Sequence, residues 1–392
     1  MSSSSISERK YPSLPYVVAI FTLSRTTIDT AARMVYPLLP VFAREVEVGV
    51  GAIVSILALV QLMGLVSPFI GMTSERRGRK FTVLVGLLCF MVGTLAVFIS
   101  PNFVGLSVAL LIGAFGKYAF GPAAQAYIGD RVPYARRGRY LGIIELAWSG
   151  AFLFGVPAMT WLIATFNWQA PFAALAILSA VGAAAAWVLL EPDQPAAVHH
   201  VAFLSALRAA VQSPMALAGL CLGFTISAAN QLVSVVFGTW IEASFGIQLA
   251  VLAVAAAVIG VAELKGESIV ALLSDRVGKR RLVLYGVGGN ILACLILPLT
   301  DISLAAALAG LFFFYLTFEL SVVASIPLAS ELSPQSRAMY LTVLVTAITL
   351  GRALFTPVAP ALYASGLFAN CLVAAGLNLL AFAVVWKFIS VK

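Results

Sequence analysis

Long apolar runs separated by short polar breaks recur along the whole chain. A helix of about 20 apolar residues covers the ~30 Å hydrocarbon core of a bilayer, so each run predicts a membrane-spanning α-helix. Twelve such spans are predicted, at 16–42, 50–72, 81–100, 103–129, 139–165, 170–190, 214–242, 247–273, 282–300, 303–330, 338–365 and 368–389. Links such as Pro101-Asn102 and Phe166-Asn167-Trp168-Gln169 are very short. They predict antiparallel hairpins and leave no room for a domain on that side of the membrane. One link, 191–213, is longer. It opens on a proline-rich EPDQPAAVHH and continues as a stretch patterned like a short interfacial helix. It divides the chain into six-span halves, 16–190 and 214–389, flanked by tails 1–15 and 390–392. The expected fold class is an all-α membrane protein of two pseudo-symmetric six-helix bundles.

An internal repeat supports that division. Residues 71–80 read GMTSERRGRK and residues 271–280 read ALLSDRVGKR, an offset of 200. A second match, offset by 201, relates Asp130, Pro133 and Arg136 at the end of span 4 to Glu331, Pro334 and Arg337 at the end of span 10. Two matches at one period predict a duplicated transporter body.

Composition agrees. The chain has 392 residues, 61% hydrophobic and only 10% charged, against roughly 25% charged in soluble proteins. Its net charge of +8 is not a nucleic-acid signal, because 18 of the 24 lysines and arginines fall on one predicted side, one (Arg44) on the other and five inside spans. That asymmetry puts both termini in the cytoplasm, in a membrane expected to be a bacterial inner membrane. The four cysteines sit inside apolar runs without metal-ligand spacing, and no cleaved signal segment is read at the start. His199 and His200 in the central link are read as a solvated pair. No HExxH, serine nucleophile elbow or phosphate loop occurs. An enzyme, a bound metal and an ATP-driven pump are therefore not expected. No cofactor is implied beyond a proton gradient as the energy source.

The loop at 71–80 resembles the signature that the major facilitator superfamily carries between spans 2 and 3, G-x-x-x-D-R-x-G-R-R/K, through Gly71, Glu75, Arg76, Gly78, Arg79 and Lys80, with Glu75 for the usual aspartate. The second copy keeps Asp275, Arg276, Gly278, Lys279 and Arg280, with Ala271 in place of the leading glycine. The resemblance implies alternating access, with Glu75, Arg76, Asp275 and Arg276 as gate residues. Asp130 with Arg136, and Glu331 with Arg337, are implied to be gate or packing contacts. It also implies that spans 1, 4, 7 and 10 line a central cavity and 2, 5, 8 and 11 flank it. Physically, the glycines permit a tight turn, and the basic residues hold the loop near anionic headgroups.

Charges inside spans are costly and mark cavities or pairs. Span 1 holds Arg25, Asp29 and Arg33 at steps of four, on one helix face. Asp29 is expected to pair with either arginine, which makes it a poor proton carrier. Lys117 lies in span 4, Glu145 in span 5, Glu263, Lys265 and Glu267 in span 8, Glu319 in span 10 and Arg352 in span 11. Glu263 and Glu267 share a face that Lys265 points away from, and Glu267 is read as a partner for the 271–281 loop. Lys117 and Glu319 are nearly repeat-equivalent and are expected to meet across the cavity. Asn230 and Gln231 add polar capacity in span 7. The substrate and ion-coupling set is thus Asp29, Arg33, Lys117, Glu145, Asn230, Gln231, Glu263, Glu319 and Arg352. Arg33, Lys117 and Arg352 suit an anionic or amphipathic substrate. Glu145 and Glu319, if unpaired, suit proton coupling. Trp148 is read as packing. Gly142, Gly150, Gly155 and Pro157 in span 5 resemble part of the antiporter signature of drug exporters. The expected protein is a monomeric, secondary-active carrier of a small organic solute. Export competes with proton-linked uptake of organic anions, lipid-headgroup flipping and a non-transporting sensor.

Overall fold

The computed structural model describes residues 14–66, 70, 74, 76–192, 208, 213–246, 248–333 and 337–390, apart from the side chains of 134–135 and 337–339. Gly71, Glu75, Pro334, the Arg337 side chain, the histidine pair and most of the central link lie outside the described residues.

The chain is helical along the predicted runs. In order, the helices are α1 (Leu14–Met34), α2 (Leu39–Glu45), α3 (Val50–Leu62) with a 3₁₀ turn Met63–Val66, α4 (Arg79–Ile99), α5 (Phe103–Arg131), α6 (Tyr134–Glu145), α7 (Ala147–Gly150), a π-helical turn Ala151–Gly155, α8 (Val156–Thr165) and α9 (Ala170–Leu189). After the link come α10 (Pro214–Ser234), α11 (Phe237–Phe245), α12 (Leu249–Val277), α13 (Lys279–Ile296), α14 (Leu304–Leu332), α15 (Arg337–Phe355), α16 (Val358–Tyr363) and α17 (Leu367–Phe388). Among the described residues nine helices are long and apolar enough to cross a membrane. The number is ten if Leu39–Glu45 and Val50–Val66, bent by 116°, form one span. This is an integral membrane protein. The charged helix α1 is outside that set, and the run over 338–365 contributes only the shorter apolar helix Tyr340–Phe355.

The runs expected at 16–42 and 338–365 are interrupted, while that at 214–242 keeps one candidate span, Pro214–Phe245, with a short turn inside it. Span 1 breaks after Met34, where Pro37 and Pro40 lack the N–H that an ongoing helix needs. Span 11 breaks at Pro357 for the same reason. The turn in span 7, at Val235–Val236, lacks a proline and lies at the repeat-equivalent of the first break.

The repeat is written into the helix boundaries. Helices α5 and α14 are each 29 residues long, and both are N-capped by a side chain, Asn102 and Ser303. Helices α4 and α13 both start after a glycine at positive φ, Gly78 at 95° and Gly278 at 91°. This backbone region is disfavoured for any side chain, which explains why the motif keeps glycine in both copies.

Within the first half, α4 packs on α5 through small residues, as membrane helices do when no hydrophobic force separates helix from lipid. A Cβ on Gly116 would lie 2.6 Å from the Gly86 carbonyl oxygen. Gly116→Leu is expected to force these helices apart and cost about 1–3 kcal/mol. Gly121→Ala, where a Cβ meets nothing within 4 Å, should be nearly silent. Thermal unfolding in detergent of the two variants checks this; equal midpoints would refute it.

Candidate functional site

Two charge systems grow from the single polar face of α1. The first stays within the first half of the chain. Arg25 donates through both terminal nitrogens to Glu145 at 2.7 Å and 2.7 Å. Its Nε lies 3.4 Å from Asp29 Oδ2, near enough for Coulomb attraction but not aligned as a hydrogen bond. Asp29 Oδ1 in turn holds Lys117 Nζ of α5 at 2.8 Å, and Gln125 donates to Glu145 at 2.8 Å. Asp29 therefore takes Arg25 and Lys117, not Arg33. Glu145 is bound in a bidentate pair, so the unpaired state expected of a proton carrier is not met there.

The second system joins the halves. Arg33 forms a bidentate pair with Glu263 of α12; Nη1 lies 2.8 Å from Oε2, and Nη2 meets Oε1. Both residues are buried, 4% and 1% exposed. Arg33 Nη1 also donates to the Trp148 carbonyl at 2.6 Å. Its guanidinium lies 4.0 Å from the centre of the Trp148 ring and 3.7 Å from that of Phe152. The π-helical turn beside Trp148 packs closely on α12: a Cβ on Gly260 would come within 2.5 Å of the Leu153 nitrogen. Such turns occur often at functional sites. Nearby, Ser149 donates to Glu267 at 3.3 Å, again across the halves. Glu267 thus faces α7, not the 271–281 loop.

These groups border a cavity of about 260 Å³, lined by Arg33, Lys117, Glu263 and Arg352 together with Asn230, Gln231 and many aromatic side chains. Trp148, expected to be packing, stands in its wall. Three cations approach that ring, with Lys117 at 5.1 Å and Arg352 at 5.8 Å from its centre besides Arg33. Gln231 donates to Thr356 at 2.9 Å and to the Tyr36 hydroxyl at 3.2 Å. Gln61 donates to the same hydroxyl at 2.9 Å. Tyr36 and Gln61 were not among the candidate residues, although a glutamine inside an apolar run was a readable signal. Asn230 accepts from Ser234 at 3.1 Å, and its Nδ2 has no partner among the described residues.

Glu319 does not meet Lys117. It is 4% exposed and forms no ion pair among the described residues; its Oε2 lacks a partner. Its Cβ would stand 2.8 Å from a Cβ on Gly266, so it points at α12 of its own half.

The motif loops also pair within their own halves. Arg79 bonds Asp130 at 3.3 Å and Ser74 at 3.3 Å. Lys279 bonds Glu331 at the equivalent place. Lys80 donates to the carbonyls of Trp187, at 2.7 Å, and Leu190. Arg280 donates to the Trp386 carbonyl at 2.9 Å. These cations cap the C-termini of α9 and α17, where the helix dipole favours positive charge. Arg76, Arg136, Asp275 and Arg276 are exposed. Among the described residues no ion pair of these loops crosses the halves. At the opposite end Arg44 pairs with Glu242 across them, and a Cβ on Gly238 would come within 2.5 Å of the Pro37 carbonyl oxygen.

A helical membrane body with an internal repeat and a polar cavity between the repeats defines a carrier-type architecture. The profile of the Major Facilitator Superfamily matches residues 21–356, and the chain belongs to that family, whose members are carriers rather than enzymes. It is similar to the uncharacterized MFS-type transporter YwfA of Bacillus subtilis, 30% identical over 142 residues, which are 36% of this chain and 34% of that protein. Multidrug resistance protein 1 of Bacillus subtilis is 30% identical over 154 residues, 38% of this chain and 39% of that protein. These alignments span well under half of either relative. The crystal structure of a D-xylose-proton symporter has the same fold, with a TM-score of 0.75 over 96% of this chain and 98% of that one, at 18% identity.

The Arg33–Glu263 pair generates a direct expectation. Removing one member of a buried pair costs about 3–5 kcal/mol, because the other charge is stranded, whereas removing both costs far less. Glu263→Gln and Arg33→Gln should each lower the unfolding midpoint more than the double variant does. Additive losses in a double-mutant cycle would disprove the coupling.

Proposed function

We propose that the protein is a secondary-active transporter. It moves a small organic solute by alternating access, coupled to protons, in the direction of export across a bacterial inner membrane. In this reading the chain crosses the membrane twelve times as two six-helix bundles. Helices α1 with α2 make the first crossing, α10 with α11 the seventh, and α15 with α16 the eleventh. Both termini are cytoplasmic and the working unit is the monomer.

The observation that carries the reading is the distribution of contacts between the halves. They close the Arg44 end and the midplane, while among the described residues the motif loops pair only at home. This is the pattern of a carrier whose cavity faces the motif side. Export is supported by the name of the relative called a multidrug resistance protein and by the glycine-rich run around the π-helical turn. Proton coupling is assigned to Glu319, the buried carboxylate without a partner. The gate roles of Arg76, Asp275 and Arg276 belong to the opposite state, in which the motif loops meet.

Alternating access requires the Arg44 end to open. Arg44→Cys with Glu242→Cys, oxidised to a disulfide, should abolish solute flux in proteoliposomes, and reductant should restore it. Undiminished flux in the cross-linked protein would sink alternating access through this end.

Glu319→Gln should reduce flux driven by an imposed pH gradient at least tenfold while counterflow of solute persists. An unchanged gradient-driven rate would remove Glu319 as the carrier.

A further inference from the structure

We propose that the cavity selects a monovalent organic anion with a flat aromatic body, its carboxylate held by Arg352 and assisted by Asn230. The inference rests on the transport reading only in making that ligand the cargo. The binding chemistry follows from the charges and orphan donors of the cavity itself.

Three cations line the cavity, and two of them are already matched. Arg33 has Glu263, and Lys117 has Asp29. Arg352 forms no ion pair among the described residues, and its buried Nε has no acceptor. The other unmatched charge nearby, Glu319, does not line the cavity. A solute entering this space therefore meets one uncompensated cation. Asn230 points the same way. It is 6% exposed, and it is the amide nitrogen, a donor, that is left without a partner. A buried donor without an acceptor is penalised until one arrives. A carboxylate presents acceptors only and binds a guanidinium fork well. A cation or a neutral donor would leave both groups unmatched, and a dianion would exceed the single free positive charge. The remaining wall includes Tyr36, Tyr118, Trp148, Phe152, Tyr315 and Phe318. Such faces stack on a planar apolar body better than on a hydrated sugar or a flexible chain.

The test uses the full-length protein in detergent and isothermal titration. The probes are benzoate, naphthoate and indole-acetate, with naphthamide and naphthylmethylammonium as neutral and cationic counterparts of one ring. We expect at least one carboxylate to bind, and naphthoate to bind at least tenfold more tightly than its amide or amine. Arg352→Gln should weaken carboxylate binding at least tenfold, about 1.4 kcal/mol, and Arg352→Lys should recover part of it. Binding of none of the three carboxylates, equal affinity for the amide, preference for the ammonium, or full carboxylate affinity in Arg352→Gln would each overturn the proposal. If Arg352→Gln does not fold, the ring-matched comparison on the unaltered protein decides. Carboxylate binding without flux in proteoliposomes would uphold this site and remove the transport reading. Flux of neutral or cationic solutes without carboxylate binding would do the reverse.

Discussion

The two halves are joined inside the helical body by a buried salt bridge. Arg33 and Glu263 meet as a bidentate pair, each almost fully buried, with the guanidinium held between the Trp148 and Phe152 rings and tied to the Trp148 carbonyl. In so apolar a setting neither charge is tolerated alone. The pair fixes where α1 lies against α12. It also sets what any rearrangement of the halves must supply, namely a replacement partner for each member as they part. Neighbouring charges offer alternatives: Asp29, one turn back on α1, is a second carboxylate near Arg33, and Arg352, which borders the same cavity, is a second cation for Glu263.

The motif loops obey the opposite rule. Arg79 with Asp130, Lys279 with Glu331, and the cations that cap α9 and α17 all close within one half. The described part of each motif loop is thereby tied to its own half. Among the described residues the charged contact across the halves at the far end, Arg44 with Glu242, is partly exposed, as the motif-loop pairs are, and so is cheap to exchange with water. Exchangeable ties at both ends and one costly, buried tie between them suit two bodies that pivot about their middle.

Much of this was legible in the sequence. The repeat at 71–80 and 271–280 foretold paired helices with matching ends, and the glycines at 78 and 278 start those helices at positive φ. The four-residue steps of Arg25, Asp29 and Arg33 gave the polar face of α1. Partner choice was not legible, because it depends on how helices far apart in sequence are laid side by side. Symmetry matches Lys117 with Glu319, yet Lys117 takes Asp29 of α1 while Glu319 lies against Gly266 of α12. Trp148 looked like filler because periodicity does not separate a cavity wall from a packed face. The turn at Val235–Val236 had no local mark, unlike the breaks at Pro37 and Pro357. It became visible only through its match to the first.

The halves differ in how their buried charges are matched. In the first half every intramembrane charge on α1, α5 and α6 has a partner, in a line from Glu145 through Arg25 and Asp29 to Lys117, with Arg33 reaching across. In the second half Glu263 is taken by Arg33, while Arg352 on α15, which lines the cavity, and Glu319 on α14, behind it, have no ion pairs among the described residues. Two opposite charges on adjacent helices would neutralise each other if structure were their only task. Held apart, they keep one cation for a solute and one carboxylate for a proton. On the proposed reading, loss of either occupant leaves a bare charge that the other half must approach to cover. That requirement would couple two binding events to one rearrangement.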